Sequence, residues 1–294
     1  MGGFARWRAA ASLLVALSVF ITAGCGGNGG QGVNVDKGEY PAPGPADERT
    51  ESLFRESLAS LTTSSFRLWG EMDMRMSMQE GDRIIPVEMH ISIREDVQQV
   101  DGVERISGEM EASGEGINQV RLRVFLIDDT LYYEHEGQWF RSGFVAAFNP
   151  LGGTGQLMTS QSIALMLESA ESLTVEEARS GEIVFGLTLG NRYFEQALEQ
   201  MEPSLDQAQR ETLERMFSTL SYRLTCTVDS KRSVVTHLVM EMRGDRFEFM
   251  PGYFMSMDVL GDFTLTDHGA DLRVELPPEA EEAQPIDVSG INPF

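Results

Sequence analysis

Few residues in this chain are spaced for chemistry. Its two cysteines are Cys25 and Cys226. Cys226 alternates with Tyr222, Leu224 and Val228, a pattern that buries a thiol among apolar neighbours and leaves it inert. The histidines His90, His135, His237 and His268 are scattered over separate strands, without the close His/Cys/Asp spacing of a metal site, and read as surface or edge residues. Asn149-Pro150-Leu151-Gly152-Gly153-Thr154-Gly155 has the glycines of a phosphate cradle but lacks the Lys-Ser/Thr ending of a P-loop. It reads instead as a lid or hinge before a helix. Gly-x-Ser-x-Gly and His-Glu-x-x-His are both absent from the sequence. No catalytic residue, metal or cofactor is expected.

Cys25 is the residue with assignable chemistry. Met1 to Arg8 carries two arginines and no acid, and an apolar run from Ala9 to Ile21 follows, the layout of an export signal. The run is shorter than the roughly 20 helical residues that cross a bilayer. Thr22-Ala23-Gly24-Cys25 resembles the bacterial lipobox, departing from it at Thr22, where Leu is usual. That resemblance implies cleavage before Cys25, a diacylglyceryl group on its thiol, and an exported chain anchored to the outer face of the cell membrane. Two acyl chains anchor stably where one binds marginally. Acylation of Cys25 also leaves Cys226 without a disulfide partner, so stability must come from a packed core.

The net charge of -23 excludes nucleic acid as a natural partner. It also repels anionic headgroups, which makes the lipid on Cys25 the membrane contact. Residues 1–24 form the signal peptide. The Gly- and Pro-rich residues 25–47 form a flexible linker, and the acid-rich residues 279–294 a solvated tail. Between them, residues 48–278 are of a size for one domain.

A helix over 48–62 opens the domain, with Leu53, Phe54, Ser57, Leu58 and Leu61 on one face. Alternation then predicts about 11 strands, half wet and half dry as in antiparallel sheets. Their dry faces include Phe66, Leu68, Met72, Met74, Met76 and Met78; Val87, Met89, Ile91 and Ile93; and Val120, Leu122, Val124 and Leu126. Later ones carry Tyr222, Leu224, Cys226 and Val228; Val234, Thr236, Leu238, Met240 and Met242; Tyr253, Met255, Met257 and Val259; and Leu272, Val274 and Leu276. Hairpins are predicted at Glu136-Gly137 and Ser180-Gly181. Helices are predicted over 157–170 and 191–220, the second broken at Pro203.

This order specifies an α+β fold, one large curved antiparallel sheet wrapping helices as a half-open barrel. About 11 strands at roughly 4.8 Å spacing make a sheet roughly 50 Å around, and two or three helices of about 10 Å diameter cover little more than half of it. The uncovered dry face must close on itself or take a ligand. The chain resembles the LolA/LolB-like superfamily, in particular the LppX/LprG-like lipoproteins. The residues that carry the resemblance are the opening helix with Ser65-Phe66-Arg67, the Gly137-Gln138-Trp139-Phe140 strand, and Asp267 to Pro277. It implies a noncatalytic protein that binds lipids or lipoprotein acyl chains. The candidate ligand-cavity residues are Met72, Met74, Met76, Leu122, Val124, Leu126, Leu238, Met240, Met242, Met255 and Met257, because flexible thioethers repack around acyl chains of varied shape. The alternative is a cell-envelope sensor or scaffold with a filled interior, acting through its acidic surface. An enzyme acting on lipids or wall polymers is the third reading.

Overall fold

Alternation over Phe66–Glu80 makes one side of that strand dry: Phe66, Leu68, Met72 and Met74 are buried, while Arg67, Trp69, Glu71 and Asp73 are exposed. The same physics repeated along the chain builds a single sheet around helices. The computed structural model describes residues 41–100, 103–114, 117–128, 130–143, 160–201, 207–250 and 252–285. In chain order the elements are β1 (Gly44–Pro45), α1 (Glu48–Ser60), β2 (Phe66–Glu80), β3 (Arg83–Val100), β4 (Val103–Gly114), β5 (Ile117–Ile127), β6 (Thr130–His135) and β7 (Gln138–Gly143). They continue with α2 (Ser160–Ser169), β8 (Ala170–Arg179), β9 (Glu182–Leu189), α3 (Asn191–Met201), α4 (Gln207–Phe217), β10 (Leu220–Asp229), β11 (Val234–Met250), β12 (Tyr253–Thr266) and β13 (Gln284–Pro285).

Among the described residues the sheet has 13 strands in the order β1-β8-β9-β10-β11-β12-β2-β3-β4-β5-β6-β7-β13 and does not close. The β13–β7 pair is parallel, and the other pairs are antiparallel. Two meanders, β2–β7 and β8–β12, meet at the long β2–β12 seam. The curved open sheet around helices is the architecture expected from the sequence, but the strand count of about 11 is corrected to 13.

Three differences account for the correction. Strand β4 was not anticipated, because its inward positions include Glu104, Gly108 and Gly114. Leu272–Leu276 alternates like a strand yet lies outside the sheet. It belongs to a strap that buries Leu272 and Val274, with the Val274 amide donating to Gln98 Oε1 at 3.0 Å. The two-residue strands β1 and β13 fall in segments read as linker and tail and are too short to show a period. Within residues 279–285, Ala280 and Ala283 are buried and Gln284 pairs with Phe140, while Glu279, Glu281 and Glu282 are exposed.

Helix α1 starts at Asp47, whose carboxylate accepts from the Thr50 amide at 2.8 Å. Its buried face sets the Phe54 ring 4.9 Å from Phe185 of β9. Helices α1 and α4 pack on β11, while α2, α3 and α4 pack on one another in sequence. Phe194 of α3 stacks on Phe217 of α4 at 5.3 Å. The hairpin turns fall where predicted, with Glu136 and Gly137 both at positive φ, as a two-residue hairpin requires. The predicted break at Pro203 lies outside the described residues, between α3 and α4.

Candidate functional site

Because strands pair in register, inward residues far apart in sequence stand in rows across the concave face. One row runs Tyr222, Met242, Val259, Met74 and Met89 over β10, β11, β12, β2 and β3. The next runs Leu224, Met240, Gly261, Met72, Ile91, Ala112 and Val120, reaching β5. A third runs Cys226, Leu238, Phe263, Gly70, Ile93, Met110 and Leu122. Ten of the sequence-predicted cavity residues thus share one continuous apolar surface. Met255 is its half-buried member, beside Met78 toward one end of the seam. Leu126 is buried on the same face but at the strap end, opposite Ile106 and Leu131.

Met89, Met110, Ile93 and Phe263 join this surface between the predicted residues. Met89 and Ile93 already showed the period. Met110 was hidden by the polar alternation of β4, and Phe263 by the glycine two residues before it, which breaks the apolar run. The surface is filled where it is described: Met72 is 0% and Met74 1% exposed. Toward the end of the seam that holds Met255, exposure rises, and Val87 and Met255 are partly buried. Tyr253 closes that end by donating to Glu80 at 2.5 Å. At the strap end two carboxylates interrupt the apolar lining. These are Glu95, in register with Leu68 and Gly108, and Glu104, which accepts from Gln99 Nε2 at 3.0 Å.

Burial pushes the Cys226 thiol far above its ordinary pKa, and burial with the nearby Tyr193 does the same for Tyr222. The nucleophilic thiolate is therefore absent near neutral pH. Maleimide at pH 7.5 is expected to leave Cys226 unmodified in the folded protein and to label it fully in denaturant. Labelling at the rate of a free thiol under native conditions would contradict this burial. His90 and His237 sit on the outer face beside Asp73 and Asp262, at 2.9 and 2.7 Å. His268 departs from the expected surface position: it packs 5.9 Å from the Phe66 ring, and burial lowers its pKa.

Among the described residues no group of three or more His, Cys, Asp or Glu is placed to hold a metal ion, and no helix is long and apolar enough to cross a membrane. Two hollows, of about 560 and about 580 Å³, open on the outer face of the sheet rather than into its interior. Cys25 and Asn149–Gly155 lie outside the described residues.

No protein-family model matches the chain, and no curated protein matches it. Solved structures do. LprF from Mycobacterium bovis is 14% identical, matched over 80% of this chain and 99% of that one, with a TM-score of 0.43. A DUF1329 family protein from Desulfovibrio piger is 10% identical over 76% of this chain and 93% of that one, with a TM-score of 0.25. A LolA superfamily protein from Nitrosomonas europaea is 9% identical over 77% of this chain and 94% of that one, with a TM-score of 0.19.

Proposed function

We propose that this chain is an exported lipoprotein, held at the membrane by lipid on Cys25, that binds or carries a hydrophobic ligand against the concave face of its sheet. The ligand class is an acyl chain, a lipid or a glycolipid. The observation that carries this reading is the continuous methionine-rich inner surface of an open sheet, with its helices packed chiefly over β11. Thioethers keep three rotatable bonds and adapt to a flexible chain, which suits a site that exchanges one apolar occupant for another. The helical layer is the movable occupant. Apolar surface that it now covers stays covered when an acyl chain takes its place, so the exchange changes little in net burial.

Two substitutions test the reading. Met74→Trp overpacks the filled part of the interior and is expected to destabilise the domain by about 1–3 kcal/mol. Met255→Trp, at the half-buried end, is expected to leave the urea midpoint nearly unchanged while weakening binding of a fluorescent fatty acid about tenfold, because the indole occupies ligand space. A wild-type chain that binds no lipid and copurifies with none in native mass spectrometry overturns the carrier reading. The close packing around Met72 and Met74 favours the second reading in that event, a noncatalytic envelope sensor or scaffold with a self-filled interior and an acidic working surface.

A further inference from the structure

We propose that the outer face of the sheet holds a second binding site, a groove across β2–β5 that takes an acidic glycan chain. The groove encloses about 560 Å³. Ser107 sets its depth, because a small side chain stands between Asp96 and Phe125 in one cross-strand row. The neighbouring row places Trp69, Arg94, Glu109 and Arg123 directly opposite one another on four adjacent strands. That row continues through Glu134 to Trp139, so its charged residues lie between two indoles. The second hollow, of about 580 Å³, shares Glu109 and Arg123 with the first and extends the groove toward the β6–β7 turn.

The chemistry of the lining selects the ligand. Arg67 is held by Asp96 and Asp267, each at 3.1 Å, and Glu109 by Arg121 at 2.8 Å. Arg94 and Arg123 form no ion pair among the described residues. Arg123 lies over Trp139 and Phe125, 5.5 and 5.9 Å from their ring centroids, which orients its guanidinium without neutralising it. Glu109 stands opposite both arginines and Glu134 opposite Arg123 without closing an ion pair with either. That leaves the two guanidiniums to carboxylates or phosphates, which their planar forks grip in pairs. Trp69 is 54% exposed and offers a flat apolar face between polar neighbours. An acyl chain would leave those polar groups unpaired. A saccharide satisfies both demands, because pyranose rings stack their C–H faces on indoles while their hydroxyl and acid groups meet Arg94, Glu109 and Arg123. The groove lies on the opposite side of the sheet from the proposed lipid surface, so the two sites succeed or fail independently.

The test is binding of the full-length chain to an array of uronate-bearing and phosphate-bearing oligosaccharides beside neutral counterparts of equal length, with calorimetry on the best ligand. Binding confined to the acidic oligomers is expected, weakened by salt. Trp69→Ala and Arg123→Gln are each expected to reduce affinity at least tenfold while leaving the thermal midpoint and fatty-acid binding unchanged. Arg94→Gln is expected to remove most of the preference for acidic over neutral chains. Absence of saturable binding to every acidic oligomer, equal affinity for the neutral set, or unchanged affinity in all three variants overturns the proposal.

Discussion

Gly70→Ala is expected to cost the domain about 3 kcal/mol or more, a large effect for one added methyl group. Gly70 sits in β2 directly opposite Phe263 of β12. A Cβ there would fall 2.1 Å from the Asp262 carbonyl oxygen, 2.6 Å from Phe263 Cδ1 and 2.8 Å from Phe263 Cα. Two of these atoms are backbone, so no rotamer change relieves the clash and the seam itself must open. The Phe263 ring also covers Gly261, where a Cβ would meet its Cε2 at 2.5 Å. One buried ring thus occupies the space of two missing side chains, a pairing known from sheets in which aromatics cover glycines. Urea denaturation should show the loss, and Phe263→Leu in the Gly70→Ala background should recover part of it, a non-additivity confined to residues in contact. A Gly70→Ala midpoint matching wild type would show that the seam relaxes freely.

The other large effect is expected at Cys25. Cys25→Ser should move the protein from almost wholly membrane-bound to almost wholly soluble after export. The two acyl chains of the proposed anchor would contribute a partition energy of about 0.8 kcal/mol per buried methylene, and a chain of net charge -23 has no electrostatic attraction to anionic lipid with which to replace it. Cell fractionation with radiolabelled palmitate measures both the anchor and its loss. An unlabelled wild-type protein free in the medium would remove Cys25 from the account and leave the inner-face lipid site to be judged alone.

What the sequence disclosed follows from how each feature is encoded. Met72, Met74, Met76 and Met78 announced an inner face because burial in a strand is written in alternate residues, and the structure buries the first three on β2 and leaves Met78 partly exposed at the end of the strand. Strand β4 was illegible because inward Glu104 and Gly108 interrupt its period, while Leu272–Leu276 carried the period without a partner strand. A strap lying across a sheet end alternates for the same reason a strand does, since one side touches the core. The outer groove had no sequence signal at all. Trp69, Arg94 and Arg123 come from three strands, and only the register of β2, β3, β4 and β5 sets them side by side.

The β2–β12 seam also bears on how the molecule is made. It pairs Arg67 with Thr266 and Glu80 with Tyr253, so the middle of the sheet joins one of the earliest strands of the domain to the last long one. Each meander can form from neighbouring hairpins, but the seam must wait for a closure spanning most of the domain, the kind of contact that slows folding. During synthesis β2 therefore waits with its methionines uncovered and one edge unpaired until β12 arrives. That delay makes the half-emerged protein a client for any factor that shields exposed strand edges, with the burden ending only as the C-terminal strap crosses to β7.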